Sequence, residues 1–122
     1  MEGEIFMSQT LFQKIYAGEI KSEILYQDEL VFVIKDIHPA AKVHLLIIHI
    51  EPIPTVSDLQ EQHQQVAGRM MIVASKMAHE LGIADSGFRL IINCKEDGGQ
   101  EVYHLHMHLL GGEPLGKMIS ED

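Results

Sequence analysis

Residues 103–110 read Tyr-His-Leu-His-Met-His-Leu-Leu, placing histidines at 104, 106 and 108. A β-strand sends alternate side chains to opposite faces. The spacing therefore predicts His104, His106 and His108 on one face, with Tyr103, Leu105, Met107 and Leu109 on the other. An imidazole with an ordinary pKa of about 6.5 can act as base, acid, nucleophile or metal ligand near neutral pH. Three readings follow. A central imidazole can attack an electrophile while its neighbours orient it and manage protons. A His-x-His pair can close on one zinc ion, with a third ligand from elsewhere. Or the three rings are buried polar groups, each needing its own partner. Gly98-Gly99-Gln100 favours the first, because glycines let backbone N–H groups come close to a phosphate. Asn93, at the end of a predicted strand, adds an amide for an imidazole or a phosphate oxygen. On the residues alone, metal and packing both stay open.

The elements that must carry these residues follow in order. Thr10 can cap a short helix over Leu11–Ala17 that Gly18 ends. Ser22–Gln27 and Leu30–Asp36 read as strands joined at Asp28-Glu29, and His38-Pro39 as a turn. Val43–Ile50 reads as a third strand closed by Pro52 and Pro54. Ser57 with Gln60 resembles a capping box, predicting a helix that reaches Leu81 and stops at Gly82. Leu59, Val66, Met70, Val73, Met77 and Leu81 form its buried stripe, which makes Met70, Met71 and Met77 core filler. Phe88–Asn93 and residues 102–110 are the last strands, with Asp97-Gly98-Gly99 turning the chain between them and Gly111-Gly112 ending it. Five strands, one long helix and one short helix predict an α+β fold with a largely antiparallel sheet, since most connections are too short for parallel crossovers.

Composition narrows the partners. The 122-residue chain carries nine Lys and Arg against eighteen Asp and Glu, a formal net charge of −9. That argues against nucleic acid, whose binders present basic patches, and leaves room for a small anion held by a few local donors. Hydrophobic residues at 46% with 22% charged suit a soluble globular domain. The single Cys94 excludes an intramolecular disulfide, suits a reducing compartment and reads as filler near a strand end. The start lacks the basic and apolar pattern of a signal peptide, and Val43–Ile50 is too short to span a membrane. Residues 1–9 read as a loose extension and 10–122 as one domain. His49, His63 and His79 read as ordinary residues.

His104-Leu105-His106-Met107-His108-Leu109-Leu110 resembles the histidine-triad signature of the HIT superfamily. The likeness continues through Phe12-Gln13-Lys14-Ile15, Asp36-Ile37-His38-Pro39, Val43-His44-Leu45-Leu46-Ile47-Ile48, Arg89-Leu90-Ile91-Ile92-Asn93 and Gly98-Gly99-Gln100-Glu101-Val102-Tyr103. It is nearest to the bacterial form of the histidine triad nucleotide-binding branch. The resemblance implies the HIT-like fold, with two five-stranded sheets joined into a ten-stranded sheet in a cytoplasmic homodimer, and no cofactor. It implies a purine nucleoside phosphoramidase that splits adenosine 5′-monophosphoramidates into AMP and amine, with GMP as a second candidate nucleotide. His106 would attack phosphorus and His108 would serve the phosphate oxygens and the leaving-group side, while His104 and His44 orient the nucleophile; an imidazolium near pH 7 suits protonation of the departing amine. Asp36 would hold the ribose hydroxyls, and Phe12, Ile15, Ile20 and Ile37 the base. Asn93, Gly99, Gln100 and the Val102 backbone would meet phosphate or nucleophile. Glu101 stands where many relatives carry Ser or Thr, so it is carried over only as a leaving-group contact. The alternatives are a nucleotide-binding dimeric scaffold with little turnover and a diadenosine polyphosphate hydrolase.

Overall fold

Thr10 caps the first helix. Its hydroxyl accepts the Gln13 N–H at 3.0 Å, and the Gln13 side chain accepts the Thr10 N–H at 2.9 Å. This reciprocal pair satisfies two donors that a helix start leaves free. The helix it opens, α1, covers Leu11–Tyr16, and Gly18 then adopts the left-handed φ of +83° that turns the chain away. The structure, a computed structural model, describes residues 9–119, so all but the last residue of the predicted N-terminal extension lies outside the described residues.

Five strands follow: β1 (Ile24–Gln27), β2 (Val31–Lys35), β3 (Val43–His49), β4 (Phe88–Ile91) and β5 (His106–Gly111). They form one sheet in the order β1-β2-β3-β5-β4, and every pairing is antiparallel. Between β3 and β4 runs the long helix α2, Gln64–Glu80. The α+β expectation holds.

Strand alternation divides the sheet into two chemically different faces. Val31, Val33, Leu45, Ile47, Leu105, Met107 and Leu109 pack against Val66, Met70, Val73 and Met77 of α2. Phe32, Ile34, Leu46 and Ile48 point the other way and are covered by Phe12 and Ile15 of α1. Since α1 has only six residues, it leaves part of that second face open. His44, His106 and His108 lie on the same side as Leu46 and Ile48, by the period of two along β3 and β5. Among the described residues no helix is long and apolar enough to cross a membrane.

Four sequence expectations shift. The capping box is formed by Thr55 and Asp58, and it opens a single 3-10 turn, Val56–Asp58. Leu59 then returns to extended backbone and packs on the core, so the long helix starts only at Gln64. Met71 is 54% exposed and Leu81 43%, because the buried stripe takes Met70, Val73, Ala74 and Met77 and leaves residues one step round the helix outside. Tyr103 is exposed, and β5 begins only at His106. His104 therefore precedes the strand and is fully buried in a bend of its own.

Candidate active site

Pairing of β3 with β5 sets Leu46 opposite His108 and Leu110 opposite His44, so His44 and His108 are diagonal neighbours on one face. His44 Nε2 lies 2.9 Å from His108 Nδ1. The Ala40 N–H donates to His44 Nδ1 at 3.0 Å, which places the His44 ring proton on Nε2. His44 then donates to His108 Nδ1, and a neutral His108 keeps its own proton on Nε2. One backbone amide thus fixes two rings in series. The direct partner of His44 is thus His108. Asp36 sits beside this pair, with Oδ2 3.4 Å from His44 Nε2 and Oδ1 accepting the His38 N–H at 2.8 Å.

Asp36, His44 and His108 are also the one set of described residues spaced to share a metal ion, with ligand atoms within 4.8 Å of one another. The chemistry of the donor set opposes it. A metal on His44 Nε2 would need the ring proton moved to Nδ1, where it would face the Ala40 N–H. Metal-bound histidines instead give their other N–H to an acceptor.

His106 is arranged differently. Its Nδ1 lies 2.7 Å from the His104 carbonyl, which only accepts, so Nδ1 carries the proton and the Nε2 lone pair is free. Burial lowers the pKa of His106, and the His104 carbonyl on Nδ1 offsets this only in part. The same desolvation, with His106 and His44 nearby, pushes His108 down to about 4. Both rings are neutral at pH 7. In the free protein His108 is therefore a neutral Nε2–H donor.

His104 is held at both ring nitrogens. Nε2 lies 2.5 Å from the His49 carbonyl and Nδ1 2.5 Å from the Thr10 hydroxyl. The edge-on ring of Phe12 touches His104 and His106 together, with centroids 5.6 and 4.9 Å away.

In front of His106 and His108 opens a cavity of about 480 Å³, a size suited to a small ligand. Phe12, Ile15, Ile20 and Ile37 form its apolar part, and Asp36 stands on its wall with His106 and His108. Asn93, Gly99, Gln100, Glu101 and Val102 close the remaining side. His44 and His104 stand behind the cavity. Sequence reasoning left out Lys21, Ser22 and Lys35, which also line it and bring cationic and hydroxyl groups. The open stretch between α1 and β1 carries Lys21 and Ser22, and no local pattern marks that stretch as part of a site.

The loop over Cys94–Gln100 is shaped by its own side chains. Gly98 passes so close to Cys94 that a Cβ would sit 2.5 Å from the Cys94 carbonyl oxygen, and Asn93 Nδ2 donates to the Gly98 carbonyl at 2.7 Å. Gln100 accepts the Lys95 N–H at 2.8 Å and donates to the carbonyls of Pro54 and Val102 at 2.9 and 3.0 Å. The Gly99 and Gln100 N–H groups bond within the loop, to Glu96 and Lys95. Gly98 therefore serves close chain approach, while the Gln100 amide braces the wall.

The HIT domain family profile matches residues 17–115. The chain belongs to the HIT family. This HIT domain is 54% identical over 112 residues to the purine nucleoside phosphoramidase of Escherichia coli K12, covering 92% of this chain and 94% of that one. Its fold superposes on a HIT family hydrolase from Clostridium thermocellum with a TM-score of 0.88 and 46% identity, over 93% and 99% of the two chains. A histidine triad protein from Clostridium difficile matches with a TM-score of 0.86 and 36% identity, over 91% and 98%.

Proposed function

We propose that this HIT domain is a purine nucleoside phosphoramidase that hydrolyses adenosine 5′-monophosphoramidates through a nucleotidyl intermediate on His106. The observation that carries the reading is the His106 ring: the His104 carbonyl, 2.7 Å from Nδ1, holds the proton there and leaves the Nε2 lone pair for an electrophile. The similarity to the Escherichia coli phosphoramidase supports the reaction class. In the first step Nε2 forms a bond to the α-phosphorus, the P–N bond breaks, and the amine leaves with a proton. In the second step water adds to phosphorus, the N–P bond breaks, and AMP leaves with His106 restored. Splitting one displacement into two through a reactive phosphorylated imidazole lowers the barrier of each.

His108 gives its Nε2–H to a phosphate oxygen. The ring stays neutral because His44 Nε2–H already fills its Nδ1, so the departing amine takes its proton from solvent, and the attacking water returns one to solvent in the second step. Asp36 takes the ribose hydroxyls, Phe12, Ile15, Ile20 and Ile37 the purine, and Glu101 lies where the amine departs. Asn93, Gly99, Gln100 and Val102 form the wall around the phosphate. The protein works as a cytoplasmic homodimer. The edge strand β4 and the exposed Met71 and Ile72 of α2 supply a face suited to a second copy, and an unpaired sheet edge is a liability for a lone chain.

The test is turnover of an AMP phosphoramidate by the wild type and by His106→Ala. Wild type is expected to release AMP and amine, and the variant to lose at least about a thousandfold in kcat, because the nucleophile is gone. Tight AMP binding without turnover by the wild type would favour the scaffold instead.

A further inference from the structure

We propose that Thr10, the cap of α1, is a positioning residue for the nucleophile, acting on His106 through the ring and peptide of His104. The proposal takes its kinetic readout from the phosphoramidase reading.

The direction of each hydrogen bond is fixed by what the groups can do. The His49 carbonyl only accepts, so His104 Nε2 carries the ring proton. Burial lowers the pKa of His104 and keeps the ring neutral, leaving a lone pair on Nδ1. The Thr10 oxygen already accepts the Gln13 N–H, so its own proton is available for that lone pair. His104 is 0% exposed, and water does not reach the ring to substitute.

The clamp matters because of what the His104 carbonyl does. It is the acceptor that sets the His106 ring, at 2.7 Å. It lies before β5 and outside the β3–β5 ladder, whose last pair is Ile48 with His106. The same peptide plane has one other anchor, the Leu105 N–H on the Ile53 carbonyl at 2.7 Å. A plane held at one end can still rotate. Fixing the His104 ring at both nitrogens holds the Cα at the other end, so the carbonyl keeps its aim. Phe12, on the same short helix, touches both rings and also lines the cavity. Helix α1 therefore joins the base-binding wall to the nucleophile.

Three variants separate positioning from simple capping. Thr10→Val removes the hydroxyl at constant shape. Thr10→Gly also removes it, but glycine caps a helix nearly as well as threonine. Thr10→Ser keeps both functions. Positioning predicts that Val and Gly lower kcat alike, by about ten- to a hundredfold, with KM within about twofold, and that Ser restores kcat. Capping alone predicts a near-normal Gly variant and a Val variant whose defect lies in KM, and either result overturns the proposal. Long-range ¹H–¹⁵N spectra of the imidazoles provide a readout independent of turnover. The wild type is expected to show His106 protonated at Nδ1, with Val and Gly moving both ring nitrogens toward averaged shifts. Unchanged His106 resonances in both variants would refute the positioning role even if no substrate were turned over.

Discussion

The tautomers of the cavity histidines are set by backbone carbonyls and amides, directly for His44 and His106 and through His44 for His108. The His104 carbonyl leaves His106 with a free Nε2, and the Ala40 N–H, passed through His44, leaves His108 with a free Nε2–H. One ring presents a lone pair and its neighbour presents a proton, both neutral. This has a consequence for pH. A nucleophilic imidazole is lost when it is protonated, and burial holds the His106 pKa below its ordinary value of 6.5. The acid limb of kcat/KM, which reports the free enzyme, should therefore have its midpoint below pH 6.5. A midpoint at or above 6.5 would mean that the ring is not desolvated as described.

Elements divide the labour between stiffness and access. The central strands β3 and β5 hold His44, His106 and His108, while the short α1 leaves the second face open enough for a cavity. On the opposite face His49 is buried, and both its ring nitrogens are without a hydrogen-bond partner among the described residues. Its ring edge faces His63 at a centroid distance of 6.5 Å. Burial lowers its pKa, against the opposing pull of Glu51. The folded protein thus takes up this proton less readily than the unfolded chain, so stability is full above about pH 6.5 and declines as pH falls below it. His49→Leu removes that term. Its melting temperature relative to wild type should rise between pH 7.5 and 5.5. Parallel curves for the two proteins would show that His49 is not a buried neutral ring.

At the scale of the whole molecule, the sequence revealed the sheet and the site more fully than the links between them. The histidine signature, Asp36, Asn93 and Gly99–Val102 are short local patterns, and the fold brings them to one cavity. The strand alternation that predicted three rings on one face was right for His106 and His108. It holds for His104 as well, since Phe12 of that face meets the rings of both His104 and His106, although β5 itself begins only at His106. Thr10 read only as a helix cap, since its second partner lies 94 residues away and no periodicity reports such a contact. Met71 looked like core because it is apolar, yet α2 turns it outward with Ile72. In the proposed dimer that face is covered. A Met71→Asp, Ile72→Asp variant should therefore sediment as a folded monomer where the wild type sediments as a dimer. A wild type that is monomeric at micromolar concentration would contradict the dimer.

The central claim is that phosphorus passes through His106 rather than being attacked by water directly. Each in-line displacement inverts the phosphorus centre, so two in succession restore it. Hydrolysis of an adenosine phosphoramidate made chiral at phosphorus with sulfur, in ¹⁸O-labelled water, distinguishes the routes in one experiment. Passage through His106 predicts net retention in the product. Net inversion would show a single displacement and would remove His106 from the role of nucleophile.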